Sequence, residues 1–433
     1  MATGEGTASA ALTHGKQGRE DEGTGVRYLL GLRNFRLLWF GSFFTGLAVW
    51  LQAPVINYLS YDLTNSGTMV GLVILVRSLP NIFLSPVAGV LADRVQRRRY
   101  MLAINLCQVA TAALMGLGLL LGVVGIYQLM VFAFAVGVWQ VLMQPVQQTV
   151  IFDVVPRKAF PNAIGLMSVA NNVSQVIGPS ISGFVIAGLG TDGNFFLQSA
   201  VFLGVTITFL LLAFPSRGSG TAQVLKESAR RNFVQGLRFV GRERTVRAVL
   251  LLGLASPLLL MPMLFSMMPI VAKDVFHTGP GGLGLMVSCY GIGGLVAAVL
   301  VANLRRIERG GLLQMAGLAA AGAGFLGLSL APTLHVGLGF LVLAGFGALV
   351  FQTANQTILQ LIVPQEMRGR MTSFNILTMG IYPVGSIATG TLSDYIGARN
   401  VEHIASALAI AVAAGALLLV PRLRNLRLSQ LVR

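Results

Sequence analysis

Polar side chains recur at helical spacing inside stretches that are otherwise apolar, and they are the main chemical resource of this chain. Gln140, Gln144, Gln147 and Gln148 fall at i, i+4, i+7 and i+8, one face of a helix. Gln352, Asn355 and Gln356 repeat three of these positions 208 residues later. Ser168, Asn171, Asn172 and Gln175 form a further polar run, and Asn375, Thr378 and Tyr382 another. Trp50 and Asn57, seven residues apart, share a face. Amides beside aromatic rings can line a path for a bulky amphipathic solute better than for a small ion. The same residues could instead bond helix to helix without touching a solute, each bond contributing about 0.6 kcal/mol. Arg77 is the only basic residue well inside an apolar stretch. Three roles are open to it: meeting an anionic group on a solute, pairing with a carboxylate such as Asp62, or snorkelling to the surface. Covalent chemistry has no such support. His14, His277, His335 and His403 are too scattered for a metal site, and Cys107 and Cys289 sit in apolar stretches as small packing residues. No enzyme, metal or cofactor is expected.

The elements that must position these groups are bilayer-length helices. An α-helix needs about 20 apolar residues to cross a membrane. Twelve such stretches occur, at 37–60, 68–92, 100–122, 126–152, 163–189, 194–214, 248–272, 281–304, 312–331, 335–362, 371–393 and 403–421. The reading is an all-α membrane protein, with twelve transmembrane helices in two pseudo-symmetric six-helix bundles. The expected divisions are a disordered tail (1–30), a first bundle (31–214), an amphipathic linker (215–247), a second bundle (248–421) and a basic tail (422–433). Of 31 Lys and Arg residues, 28 lie before the first span, in every second loop or after the last. Retention of such residues in the cytoplasm puts both termini there, in a multi-pass protein of the cell membrane. In a soluble protein the net charge of +16 would suggest nucleic acid; here it faces anionic lipid. A monomer is expected, and the N-terminal segment lacks the apolar core of a signal peptide.

The two halves also resemble each other. Val155-Pro156 corresponds to Val363-Pro364 at the offset of 208, and at 207 Gly178 matches Gly385 and Gly183 matches Gly390. Matches in the same order and at the same depth argue for duplication of a six-helix unit.

Between the second and third spans stands Gly89-Val90-Leu91-Ala92-Asp93-Arg94-Val95-Gln96-Arg97-Arg98-Arg99. It resembles the G-x-L-A-D-R-x-G-R-R/K loop of the major facilitator superfamily, with Gln96 in place of the second glycine. Gly89 can admit a close helix, Asp93 can accept hydrogen bonds from a helix N-terminus, and Arg94 and Arg97 can pair with a carboxylate, Asp153 being the nearest by topology. The resemblance implies that this network latches the two halves when the protein faces outward. The second half keeps Arg305, Arg306 and Arg309 without the aspartate, so the latch should be asymmetric.

In the fifth span, Ser174-xxx-Gly178-Pro179-xx-Ser182-Gly183 is similar to the family's antiporter pattern, which implies export over import. Asn34 to Trp39, Leu75 to Pro80 and Pro156 to Ala163 resemble the macrolide- and siderophore-efflux branch. The resemblance therefore implies a secondary exporter of a drug-, macrolide- or siderophore-like solute, with proton antiport. Asp62 and Asp153 are the nominees for coupling, since no acid stands near a span centre. An importer or lipid carrier of the same fold, or a non-transporting receptor, remains the alternative. Two G-x-G-x-x-G matches, at Gly188 and Gly322, follow no strand, and no P-loop is present, so nucleotide binding is discarded.

Overall fold

A computed structural model describes residues 25–212, 241, 243–303, 309–363 and 380–424, apart from a few side chains that include Asp93, Arg94 and Asn172. The tail before residue 25, most of the 215–247 linker, Arg305, Arg306, Asn375, Thr378 and the chain beyond 424 lie outside the described residues.

With no water in a bilayer core, backbone N–H and C=O groups must bond within the chain, which forces long apolar segments into helices. The first half contains α1 (Arg33–Thr64), α2 (Gly67–Arg94), α3 (Arg97–Leu120), α4 (Ile126–Val154) and α5 (Phe160–Leu211). The second contains α6 (Arg244–Val275), α7 (Pro280–Asn303), α8 (Gly310–Leu330), α9 (Leu334–Ile362), α10 (Tyr382–Ile396) and α11 (Ala398–Leu419). Among the described residues, ten segments are long and apolar enough to cross a membrane. One of them, α5, runs for 52 residues and is broken at Gly190, whose φ of 79° lies in the region glycine favours. That break falls between the fifth and sixth expected spans. The Asn194 amide donates to the Ser182 carbonyl and hydroxyl, tying the two limbs together. The eleventh expected span is described only from residue 380 onward.

A short helix, Val26–Gly31, lies inside the expected tail of residues 1–30 because Leu29 is fully buried in the first-half core. Helix α6 starts at Arg244, so the last residues of the expected linker belong to it. It carries π turns at Ser256–Leu260, Met263–Met267 and Val271–Val275. Pro257, Pro262 and Pro269 interrupt its normal ladder, which accounts for the local widening.

Within the first half α1 and α3 pack on α5 and α2 packs on α4; within the second, α7 and α8 pack on α9 and α11 packs on α8. Two seams join the halves, α2 against α10 and α5 against α7. Each seam therefore pairs the second helix of one half with the fifth-span equivalent of the other, the arrangement expected of a duplicated unit. The largest apolar cluster belongs mainly to the second half, but it takes in Tyr61, Val70 and Ile74 of the first. Those residues sit at the end opposite the basic loops, where the halves are fused.

Candidate functional site

A cavity of about 900 Å³ opens between the halves. Its floor and walls come from α1 through the first limb of α5, with Phe265 of α6 and Tyr382 of α10 contributed by the second half. It reaches Gln148, Phe152 and Ile164 at the basic end, where Phe152 and Ile164 are largely exposed. Trp50 stacks on Phe265 at 6.1 Å between centroids, and Phe265 meets Tyr382 edge-on at 6.2 Å. These three rings cap the inner end of the cavity.

Beyond the rings the path is shut by contacts that cross between halves. Asn57 donates to the Phe265 carbonyl at 2.9 Å. The Lys273 ammonium pairs with Asp62 at 2.9 Å, bonds the Asn65 side chain at 3.1 Å and lies over the Tyr61 ring. Tyr61 in turn donates to Asp274. At the α2–α10 seam, Asp394 accepts from the Gly67 amide at 2.6 Å, the Ser66 hydroxyl at 2.8 Å, and the Thr68 amide and hydroxyl at 3.0 and 2.7 Å. A carboxylate from one half thus caps a helix N-terminus of the other, where the helix dipole favours negative charge. Burial works to raise the Asp394 carboxyl, but the bonds from Thr68, Gly67 and Ser66 outweigh it and hold the group below its ordinary value.

Glycines set the closeness of both seams. A Cβ on Gly67 would stand 2.5 Å from the Gly390 carbonyl oxygen, and one on Gly284 would stand 2.5 Å from the Gly183 Cα. The repeat mates Gly183 and Gly390 therefore occupy equivalent places, one in each seam.

Trp50, Asn57, Arg77, Gln144 and Gln148 all line the cavity, with Gln140, Gln147, Ser168 and Asn171. Gln175 lies outside the lining, and the Asn172 side chain is not described. The expected symmetry of the walls is not found among the described residues. Gln352, Asn355 and Gln356 are absent from the lining, and Asn355 instead accepts a bond from Gln314 of α8 at 2.8 Å. Asn355 is thus engaged within its own half, while Gln356 is exposed. Of the three roles open to Arg77, the pair with Asp62 is not made, because Lys273 takes that carboxylate at the far end. Arg77 faces the cavity instead.

Among the gating nominees, Arg97 pairs with Asp153, joining the start of α3 to the end of α4. Among the described residues, nothing stands within 4 Å of a Cβ built on Gly89. Gly178 meets α1, since its Cβ would lie 2.6 Å from that of Trp50. Pro179 is buried beside it, and Ser174 donates to the Phe43 carbonyl at 2.8 Å, so the small residues of α5 close on α1. Both coupling nominees, Asp62 and Asp153, are ion-paired.

Sequence reasoning passed over three features. Gln108 of α3 lines the cavity, and its place between Asn105 and Thr111 at helical spacing in an otherwise apolar span was the available signal. Asp394 was not singled out, yet Gly390-Thr391-Leu392-Ser393-Asp394 repeats the G-x-L-x-D spacing of Gly89 to Asp93. Glu402 is a further acid near a span end, one that the sequence reading did not single out. Helix α11 begins at Ala398, five residues before the expected span, because Gly397 with a φ of 83° separates it from α10. Glu402 is fully buried there, with neither carboxyl oxygen bonded to a partner.

Comparison with known proteins agrees with this architecture. Residues 30–431 match the family described as transmembrane secretion effectors. The multidrug efflux pump Tap of Mycolicibacterium fortuitum is 24% identical over 399 residues, covering 91% of this chain and 97% of that protein. Macrolide efflux protein A of Streptococcus pyogenes is 21% identical, covering 84% and 90%. Among solved structures, a bacterial homologue of the iron transporter ferroportin in an inward-facing state superimposes with a TM-score of 0.68 at 17% identity, over 88% of this chain and 98% of that one. The fold is theirs, and the relatives are transporters rather than enzymes. From the match over nearly its whole length, this multi-pass membrane chain belongs to the transmembrane secretion effector family of the major facilitator superfamily.

Proposed function

We propose that this protein is a secondary active transporter of the cell membrane. In this reading it exports a bulky amphipathic small molecule by alternating access, with both termini in the cytoplasm. The observation that carries it is a cavity of about 900 Å³ lined by amides, apolar side chains and rings, open at the basic face and sealed at the opposite face by bonds that cross between the halves. If the basic face is cytoplasmic, as retention of Lys and Arg implies, this is the inward-facing member of the two states such a carrier needs. The cavity is of drug-site size and mixes amides with aromatic rings, which suits an amphipathic solute. Efflux names among the relatives support export.

In mechanism, the solute enters from the cytoplasm between α4 and the first limb of α5 and docks beneath Trp50, Phe265 and Tyr382. Rocking of the halves then breaks the Asp394 cap and the Lys273–Asp62 pair and opens the outer path. The Gly89–Asp93 loop is assigned the converse task of holding the cytoplasmic side shut. Proton antiport supplies the driving force in this reading.

The test uses inverted membrane vesicles with an imposed proton gradient and a pH-sensitive dye. A panel of macrolides, cationic dyes and catecholate siderophores is added to wild type and Asp93→Asn. Solute-triggered proton release that the variant loses is the expected result. Binding without flux or proton movement would overturn the exporter and leave a receptor.

A further inference from the structure

We propose that the cavity selects amphipathic solutes that carry a negative charge, and that Arg77 is the residue that reads this charge. The proposal refines the transport reading and rests on it only for the solute's movement.

Arg77 projects from α2 into the cavity among uncharged amides, hydroxyls and rings. Among the described residues it makes no ion pair, and no carboxylate lines the cavity with it. The described acids lie elsewhere. Asp62 and Asp153 are ion-paired, Asp274 receives the Tyr61 hydroxyl, Asp394 caps α2, and Glu243 caps α6. Asp192 follows the Gly190 kink, and Glu402 is buried in α11 away from the lining. By sequence, the remaining acids belong to the N-terminal tail and to the loops that carry the basic residues.

An unpaired guanidinium in a membrane-embedded pocket is costly, and such residues mark solute paths. Amide walls can hydrogen-bond either sign of solute, but they do not neutralise Arg77. A carboxylate, sulfonate or phosphate would gain a charge-assisted bidentate contact there. A lipophilic cation would meet uncompensated repulsion, and discrimination of this kind needs only the one repulsive element. Trp50 and Phe265 supply the apolar side that the rest of an amphipathic anion requires.

The experiment reads the cavity's polarity without knowing the natural solute. Trp39 and Trp139 are replaced by phenylalanine, leaving Trp50 as a reporter inside the cavity, and its fluorescence is quenched by iodide or by caesium in uncharged detergent. Companion variants keep only Trp39 or only Trp139, neither of which lines this cavity. Iodide is expected to quench Trp50 several-fold better than caesium, by a margin exceeding that at Trp39 and Trp139. Arg77→Gln should abolish the excess and Arg77→Lys should keep it. Equal quenching by the two ions, or an excess that survives Arg77→Gln, overturns the proposal. Should Arg77→Gln fail to fold, the comparison of Trp50 with Trp39 and Trp139 decides on its own.

A second arm compares carboxyfluorescein with rhodamine 123, related dyes of opposite charge, by equilibrium dialysis. The anion should bind at least about tenfold tighter, the scale of one hydrogen bond to a charged group, and better or equal binding of the cation overturns the proposal. Anion binding without flux would sink the transport reading while leaving the charge preference standing.

Discussion

The Asp394 carboxylate of α10 accepts the Gly67 amide of α2 at 2.6 Å, so the last turn of a second-half helix caps the first turn of a first-half helix. On the proposed transport reading, the cap forms only while the α2–α10 seam is closed at the face opposite the basic loops. On that reading, its strength should set how much of the population is open at the basic face. A charge at a helix N-terminus contributes about 0.3–1 kcal/mol when exposed and up to about 2 kcal/mol in better geometry. Asp394→Asn is expected to move the equilibrium roughly 2- to 30-fold toward opening at the face opposite the basic loops. Spin or dye labels at the outer ends of α2 and α10 would read this as a longer mean separation. An unchanged distribution would leave the cap without a conformational role.

The same bond gives a pH expectation. Asp394 is held below its ordinary value in the closed state, so its contribution to closure is present above the normal carboxylate range near 3.9 and fades as pH falls through the lowered value. Between about pH 5 and pH 8 the label separation attributable to Asp394 should stay flat. A midpoint inside that window, lost in Asp394→Asn, would contradict the assigned direction.

At the other seam, Gly183 and Gly284 touch backbone to backbone, leaving no room for a Cβ on either. Gly183→Val is expected to hold α5 and α7 apart and prevent closure at the face opposite the basic loops. Transport should fall by at least about tenfold while each half still folds, because both helices keep their packing within their own half. Thiol-reactive probes introduced at the outer end of α7 should label the variant faster than the parent. Normal flux with unchanged labelling would show that the seam yields without cost.

Glu402 poses a different question, since a fully buried carboxyl without a partner carries a large penalty when ionised. Glu402→Gln keeps the volume and cannot ionise, so the melting temperature should hold or rise. Glu402→Lys places a charge in the same apolar wall and is expected to cost about 3 kcal/mol or more. A melt of purified protein in detergent checks both. A clear loss in Glu402→Gln would mean the carboxylate itself is needed.

The bilayer makes the fold legible. The length requirement and the placement of Lys and Arg are local properties of the chain, so apolar spans and loop sidedness can be read one segment at a time. The break at Gly190 was visible in the same way, as a polar gap between two apolar runs. Contacts between distant segments were not. Nothing local to Asp394 reports that it meets Gly67, and only the recurrence of the Gly89–Asp93 spacing at Gly390–Asp394 hints at it. Repetition also misled. Gln352, Asn355 and Gln356 copy the polar face of α4, but sequence does not say whether a polar face meets a solute or a neighbouring helix.

That ambiguity can be settled by comparing one member of each face. Gln144 lines the cavity and is exposed to it, whereas Asn355 is bonded to Gln314 between α9 and α8. Gln144→Ala removes a group that faces open space, so it should leave the melting temperature within a degree or two while weakening solute binding or flux about three- to tenfold, the scale of one hydrogen bond. Asn355→Ala strands the Gln314 amide in the core of the second half and should lower the melting temperature by a few degrees, consistent with about 1 kcal/mol lost between helices. Its effect on binding, once the protein is folded, should be small. Matched melts and binding curves on the two variants separate the roles: a binding defect in Asn355→Ala without a thermal one would return α9 to the solute path.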